Sequence, residues 1–122
     1  MIAAALQAIA AFNLACTGTM RSGPLGLALP EGEGEPFTIV YRIDLEAGRW
    51  CSGECDIVEA LAAVANGEIV LRDRHDPAGS SVVRFLPGAG RFTDTQIAGN
   101  IATLRSGTCE PAAFTGFPIR VA

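Results

Sequence analysis

Hydrophobic and polar positions alternate with a period of two through much of this chain. The stretch FTIVYRIDL shows it most cleanly: Phe37, Ile39, Tyr41, Ile43 and Leu45 share one face, and Thr38, Val40, Arg42 and Asp44 share the other. A 3.6-residue period cannot produce that order, so the segment is a strand with one buried face. AFNLACTGTM repeats the pattern, with Phe12, Leu14 and Cys16 opposed to Asn13, Ala15 and Thr17. The EAG at 46–48 supplies a tight turn, from which RWC returns as the second strand of a hairpin. Asn66-Gly67 marks another hairpin turn, leading into the strand EIVLRD. RHDPAGS then reads as a loop, SVVRFL as a strand, PGAG as a turn, and RFTDTQIAG and NIATLRSGTCEP as two more strands.

Three segments are less regular. In DIVEALAAV, residues Ile57, Val58, Leu61 and Val64 sit at helical spacing and alanine favours helix. A short strand over 56–60 followed by a loop fits as well, and the strand is the expectation. RSGPLGLALPEGEGEP, residues 21–36, holds seven Gly or Pro and reads as a long surface loop with a short apolar strand at 25–29. The apolar residues of FTGFPIRV are expected to pack on the rim of the domain.

Strand–turn units thus recur about every ten residues, which predicts an all-β antiparallel meander forming a small barrel or sandwich of about six to eight short strands. A length of 122 residues fits one domain. The 14 glycines and 7 prolines supply the turns such a fold needs. With 49% hydrophobic and 18% charged residues, the chain has the composition of a packed domain rather than a disordered one.

Charge narrows the partners. The formal net charge is −4, and all nine basic residues are arginines spread along the chain. Phosphate backbones and anionic membrane surfaces demand a basic patch, so neither nucleic acid nor stable membrane association is expected. The first eleven residues, MIAAALQAIAA, carry no charge but are too few to span a bilayer. They are similar to the apolar core and cleavage end of a secretory signal, with Ala8-Ile9-Ala10 as the small-x-small site, although the basic n-region is missing. Residues 1–10 would then be a signal remnant and 11–122 the domain, in the periplasm or outside the cell. A short buried helix or first strand is the alternative for the same residues.

Cysteine chemistry follows from that compartment. Four cysteines in a short exported chain predict two disulfides. Three pairings exist; Cys51–Cys55 is the easiest to close and leaves Cys16 for Cys109. The Cys-x3-Cys spacing could instead hold copper, but such sites also want imidazole and thioether, and this chain offers one histidine, His75, and two methionines, Met1 and Met20. Thioredoxin-like exchange needs Cys-x2-Cys at a helix start inside a βαβ unit, and zinc needs a second close cysteine pair; both patterns are missing. Glu31, Glu33 and Glu35 alternate with glycines as a solvated loop, short of the ligands calcium requires. No cofactor is expected.

One cluster has catalytic residue types. His75 stands beside Asp73 and Asp76 in RDRHDP and could serve as a base oriented by a carboxylate, but neighbouring residues in a turn rarely point at one another, and a solvated charged loop is the expectation. Tyr41 and Trp50, on neighbouring strands of one hairpin, form either a core pair or an exposed binding platform.

The stretches FNLACTGT, YRIDLEAGRWCSGEC and GTCEPAAFTGFP together resemble a group of small exported bacterial proteins of uncharacterised function. The resemblance covers most of the chain after residue 11. It implies secretion, two disulfides and a small all-β domain, and carries no catalytic residue. The sequence therefore points to a non-catalytic exported binding or structural module, whose partner is a protein or a small ligand and whose contact surface includes Trp50, Tyr41 or His75. The alternatives are a small periplasmic hydrolase using His75 and a copper-handling protein using Cys51 and Cys55.

Overall fold

The computed structural model describes residues 10–24 and 34–118. The alternation of Phe12, Leu14 and Cys16 forms β1 (Ala11–Pro24), and that of Phe37 to Ile43 forms β2 (Glu35–Asp44). They pair antiparallel with Phe12 opposite Ile43, Leu14 opposite Tyr41 and Cys16 opposite Ile39, so both apolar sets face the same way. The chain continues through β3 (Arg49–Ser52), β4 (Glu59–Ala60), β5 (Ala63–Ala65), β6 (Glu68–Asp76), β7 (Gly79–Leu86), β8 (Arg91–Ala98) and β9 (Ile101–Ala112).

These make one nine-stranded antiparallel sheet in the order β4-β3-β2-β1-β9-β8-β7-β6-β5. Every neighbour in it is also a neighbour in sequence except β1 and β9, the first and last strands, which pair at its centre. The two edges, β4 and β5, are separated in the chain by Leu61 and Ala62 alone. A sheet whose opposite edges are tied by two residues cannot lie flat, and it curls into a half-barrel. The tie is hydrogen-bonded to both sides: Leu61 N donates to the Gly48 carbonyl at 2.8 Å and Ala62 N to the Val70 carbonyl at 2.9 Å.

Curling brings the inner faces together as the core, where Phe12, Leu14, Tyr41, Ile43, Trp50, Ile69, Leu71, Val83, Phe85 and Phe92 are buried with Cys16 and Cys109. Each large side chain contributes about 1.5–3 kcal/mol by leaving water. One row across the sheet has a particular composition: Phe37, Gly18, Gly107 and Phe92 lie side by side on β2, β1, β9 and β8. The two glycines allow the backbones to approach, since a β-carbon at Gly18 would run into the Ser106 carbonyl and one at Gly107 into the Thr17 carbonyl. The flanking rings close over them edge-on, with centroids 5.7 Å apart.

Several expectations change. The strands number nine rather than six to eight. No helix occurs among the described residues, and none there is long and apolar enough to cross a membrane. DIVEALAAV divides into β4 and β5, and strand begins only at Glu59, because the Cys51–Cys55 bridge folds the preceding residues into a tight turn that leaves Ile57 exposed. RHDPAGS is mostly strand: β6 runs to Asp76, whose carboxylate caps the turn by accepting from Ala78 N at 2.8 Å. β1 and β2 extend through 21–24 and 35–36, shortening the expected loop. The tail does not pack on the rim: residues 113–118 lie over the outer face of β1 and β2. There Asn13 Nδ2 donates to Thr115 Oγ1 at 3.0 Å and Arg42 Nη1 to the Gly116 carbonyl at 2.9 Å. The signal-like or helical residues 1–9, the 25–29 strand, Glu31 and Glu33, and residues 119–122 lie outside the described residues.

Asn66 and Gly67 turn the β5–β6 hairpin with φ of 55° and 73°, the paired left-handed conformation of a two-residue connection. Both disulfides form. Cys16–Cys109 bridges directly opposed residues of β1 and β9 on the inner face, across 93 residues of sequence, while Cys51–Cys55 spans only four.

Two predictions follow from this packing. In denaturant unfolding, the double change Cys16→Ala/Cys109→Ala should cost about 4–5 kcal/mol and Cys51→Ala/Cys55→Ala about 2, in the ratio set by loop length. Gly107→Ala should lower stability by about 1–3 kcal/mol through forced separation of β1 from β9; an unchanged midpoint would show that the backbones are not held in close approach.

Candidate functional site

The inner face is not uniform. Toward the Asp44 end of β2 it is apolar, and toward the Glu35 end it gathers polar groups. A register shift in β6 between Val70 and Arg72 creates part of this change. Plain alternation would send Arg72 outward with Val70. The bulge places Leu71 and Arg72 together on the inner side, and Arg74 follows.

Arg72 lies over the Trp50 ring at 5.1 Å from its centroid. Its Nε donates to Glu59 Oε1 at 3.0 Å, its Nη2 pairs with Glu59 Oε2, and its Nη1 donates to Ser81 Oγ at 3.1 Å. Arg74 Nη2 donates to the same Glu59 at 3.2 Å. Glu59 belongs to edge strand β4 and both arginines to β6, next to the other edge, so this ion cluster joins the two ends of the sheet. The hydrogen bonds it donates to Glu59 push the Arg72 pKa further up, against the opposing effect of burial. An open cleft of about 360 Å³ lies beside the cluster, between Glu59, Ala60 and Ala62 on one side and Leu71, Arg72, Asp73 and Arg74 on the other.

A second cluster sits deeper. Asp94 is 4% exposed, accepts from Gln96 Nε2 at 3.3 Å, and has Arg105 Nη1 3.7 Å away. Arg105 stands directly opposite Asp94 in the β8–β9 register and stacks over Phe37 at 5.7 Å. Tyr41 lies 6.0 Å from both Trp50 and Phe92, completing an aromatic row that ends at Phe37. Three buried atoms here have no hydrogen-bond partner among the described residues: Tyr41 Oη, Trp50 Nε1 and Arg105 Nε. An unpartnered buried polar group costs about 1–3 kcal/mol, so three on one face are a concentrated expense for a small domain. Burial, and then the Asp94 carboxylate, raise the Tyr41 pKa far above 10.0, with Arg105 and Arg72 pulling it down.

The residues singled out in the sequence are thus separated. Tyr41 and Trp50 are 2% and 1% exposed, so they form a core pair and no outward platform. His75 is exposed near the end of β6, where alternation puts it on the opposite face with Asp73. Its Nε2 lies 2.8 Å from Asp73 Oδ1, so the two do meet, as residues two apart on a strand rather than in a loop. Cys51 and Cys55 are bonded to each other, which removes the free thiolates that copper or thiol exchange would use. Among the described residues no group of three or more His, Cys, Asp or Glu is placed to hold a metal ion.

Sequence reasoning did not single out Glu59, Arg72, Arg74, Asp94 and Arg105. For two of them a signal existed: Asp94 shares the face of Phe92, and Arg105 that of Cys109. Nothing local announces the bulge that turns Arg72 inward. Comparison with protein-family models, with curated proteins and with solved structures finds no significant match.

Tyr41 is the only tyrosine, so its ionisation can be followed directly. Its folded pKa is raised above the ordinary 10.0. The stability it contributes is complete below pH 10.0 and is lost as the pH climbs from there toward the folded value. In an alkaline titration, phenolate absorbance should stay silent through pH 10.0 and appear only with unfolding. Ordinary ionisation with an intact fold would refute the burial.

Proposed function

We propose that this chain is a non-catalytic exported binding module whose contact surface is the polar half of the concave face. The observation that carries the reading is the set of three buried donors without partners, Tyr41 Oη, Trp50 Nε1 and Arg105 Nε, on one curved wall. Natural domains leave few such groups, and concave walls with a few convergent polar atoms are where small ligands bind. Export is supported by the two disulfides, which fit an oxidising compartment, and by β1 beginning at Ala11, where cleavage after Ala10 would leave the new terminus.

A thermal-shift screen of small polar and apolar compounds on the oxidised chain tests the reading. A ligand at about 100 times its Kd stabilises by about 2.7 kcal/mol and so raises the melting temperature measurably. The shift should vanish in Arg105→Met. A hit that keeps its full shift in that variant binds elsewhere and removes the concave face from consideration.

The hydrogen-bonded Asp73–His75 pair favours a second reading, a hydrolase. Ser80 stands opposite His75 in the β6–β7 register. Against this, Asp73 engages Nε2, the nitrogen that faces the nucleophile in a serine triad, and the pair is open to water with His75 68% exposed. Ester and glycoside panels should show no turnover that His75→Ala abolishes; turnover lost with His75 would install the enzyme.

A further inference from the structure

Asn66 is the only asparagine or aspartate in the chain that is followed by glycine. Both residues of the pair are exposed, and they form the turn that joins β5 to β6. A β-carbon at Gly67 would meet nothing within 4 Å, so the Gly67 nitrogen is shielded neither by a side chain of its own nor by neighbours at that point. We propose that Asn66 is a site of spontaneous covalent modification. It closes on the Gly67 nitrogen to a succinimide, opens to isoaspartate or aspartate, and in the isoaspartyl form loosens the tie between the sheet edges.

The Gly67 nitrogen attacks Asn66 Cγ. A bond forms between them, the Cγ–Nδ2 bond breaks, and the Gly67 amide proton leaves with the side-chain nitrogen as ammonia. Water then opens the ring at one of its two carbonyls. Attack at Cγ restores the main chain and leaves aspartate. Attack at the Asn66 carbonyl carbon leaves the chain running through Cβ and Cγ, which adds one carbon to the backbone. Water is the only co-reactant, and nothing is oxidised or reduced. Glycine favours ring closure because it lacks the side chain that crowds the nitrogen elsewhere. The other two asparagines supply the contrast. Asn100 is exposed but precedes the β-branched Ile101, and Asn13 is 8% exposed, precedes Leu14 and donates to Thr115.

Ring closure needs the turn to open, because the imide fixes ψ at Asn66 far from the value that a paired left-handed connection uses. Opening costs least at this place in the sheet. β5 is an edge strand of three residues, all exposed, and it pairs with β6 only through Ala63–Val70, Val64–Ile69 and Ala65–Glu68. The next bond along is the one from Ala62 N to the Val70 carbonyl, which fastens the edge-to-edge tie to β6. A two-residue turn sets the register of this whole run, and an extra backbone carbon in the turn displaces it. Aspartate keeps the normal backbone and tolerates the left-handed conformation, so only the isoaspartyl product disturbs closure.

The oxidised full chain is incubated for weeks at physiological temperature and neutral pH, then digested and followed by mass spectrometry. Asn66 should convert at least about tenfold faster than Asn100 in the same molecules. Gly67→Ala should slow that conversion about tenfold; where strain at a φ of 73° unfolds the variant, the contrast with Asn100 in the native chain carries the test. The isoaspartyl chain, isolated by reversed-phase chromatography and refolded with both disulfides intact, should exchange its Ala62 amide hydrogen at least about tenfold faster than the native chain, whereas Asn66→Asp should leave that rate unchanged. Conversion at Asn66 no faster than at Asn100 would overturn the modification site. An isoaspartyl chain with native protection at Ala62 would overturn its link to closure. Equal loss of protection in Asn66→Asp would overturn the assignment of the effect to the lengthened backbone.

Discussion

Two residues between opposite edges of a sheet control this structure. Leu61 and Ala62 are the whole distance, along the chain, between β4 and β5, the outermost strands of a nine-stranded sheet. Antiparallel strands stack laterally at about 4.8 Å, so a flat sheet of this width would separate its edges by more than 30 Å, and the three Cα steps from Ala60 to Ala63 reach roughly 10 Å. Curvature is therefore compulsory. It gives the chain an inside, and the inside is where every buried ring and every unpartnered donor is found.

The remaining features make that curvature affordable. Gly18 and Gly107 let β1 and β9 meet at the sheet centre without β-carbons in the way. Cys16 and Cys109 bond across the same pair of strands, two positions further along. The first and last strands of the chain are thereby held at the middle of the sheet by a covalent link, while the middle of the chain holds the edges. The ion cluster of Glu59 with Arg72 and Arg74 adds a second connection across the opening, from edge strand β4 to β6 beside the other edge. With a carboxylate only 18% exposed, this cluster is less screened than a surface pair, and it combines closure with the polar character of the wall.

The polarity of that wall runs against the economy of the rest. The apolar end of the inner face uses its area for burial alone. The polar end keeps Asp94 at 4% exposure, a tyrosine whose ionisation is strongly suppressed, and three donors without partners among the described residues. A sequence optimised only for stability would place apolar side chains there, since replacing both members of a buried polar pair by well-packed apolar groups is often neutral or better. Retaining these groups on the inner face is the observation behind the binding role proposed for it. The exposed Asp73–His75 pair lacks that enclosure, although its residues meet.

Much of this was legible along the chain. The period of two in β1, β2, β7 and β8, the Asn66-Gly67 turn and the all-β class are local properties, decided by which side chains share a face and which backbone a turn residue tolerates. The inward placement of Phe12, Leu14, Tyr41 and Ile43 follows from the same alternation. What local order could not decide was set by contacts between distant residues. The pairing of β1 with β9 and the edge-to-edge tie depend on the whole strand order, and nine strands appear because tertiary pairing extracts β4 and β5 from a segment whose spacing also suits a helix. The bulge before Arg72 inverts a face by one residue, a change set by how β6 meets β7 and invisible in alternation alone. Sequence by itself determined what each strand would bury; only the folded sheet decided which buried faces would confront one another, because register and closure are properties of pairs of strands and not of any one of them.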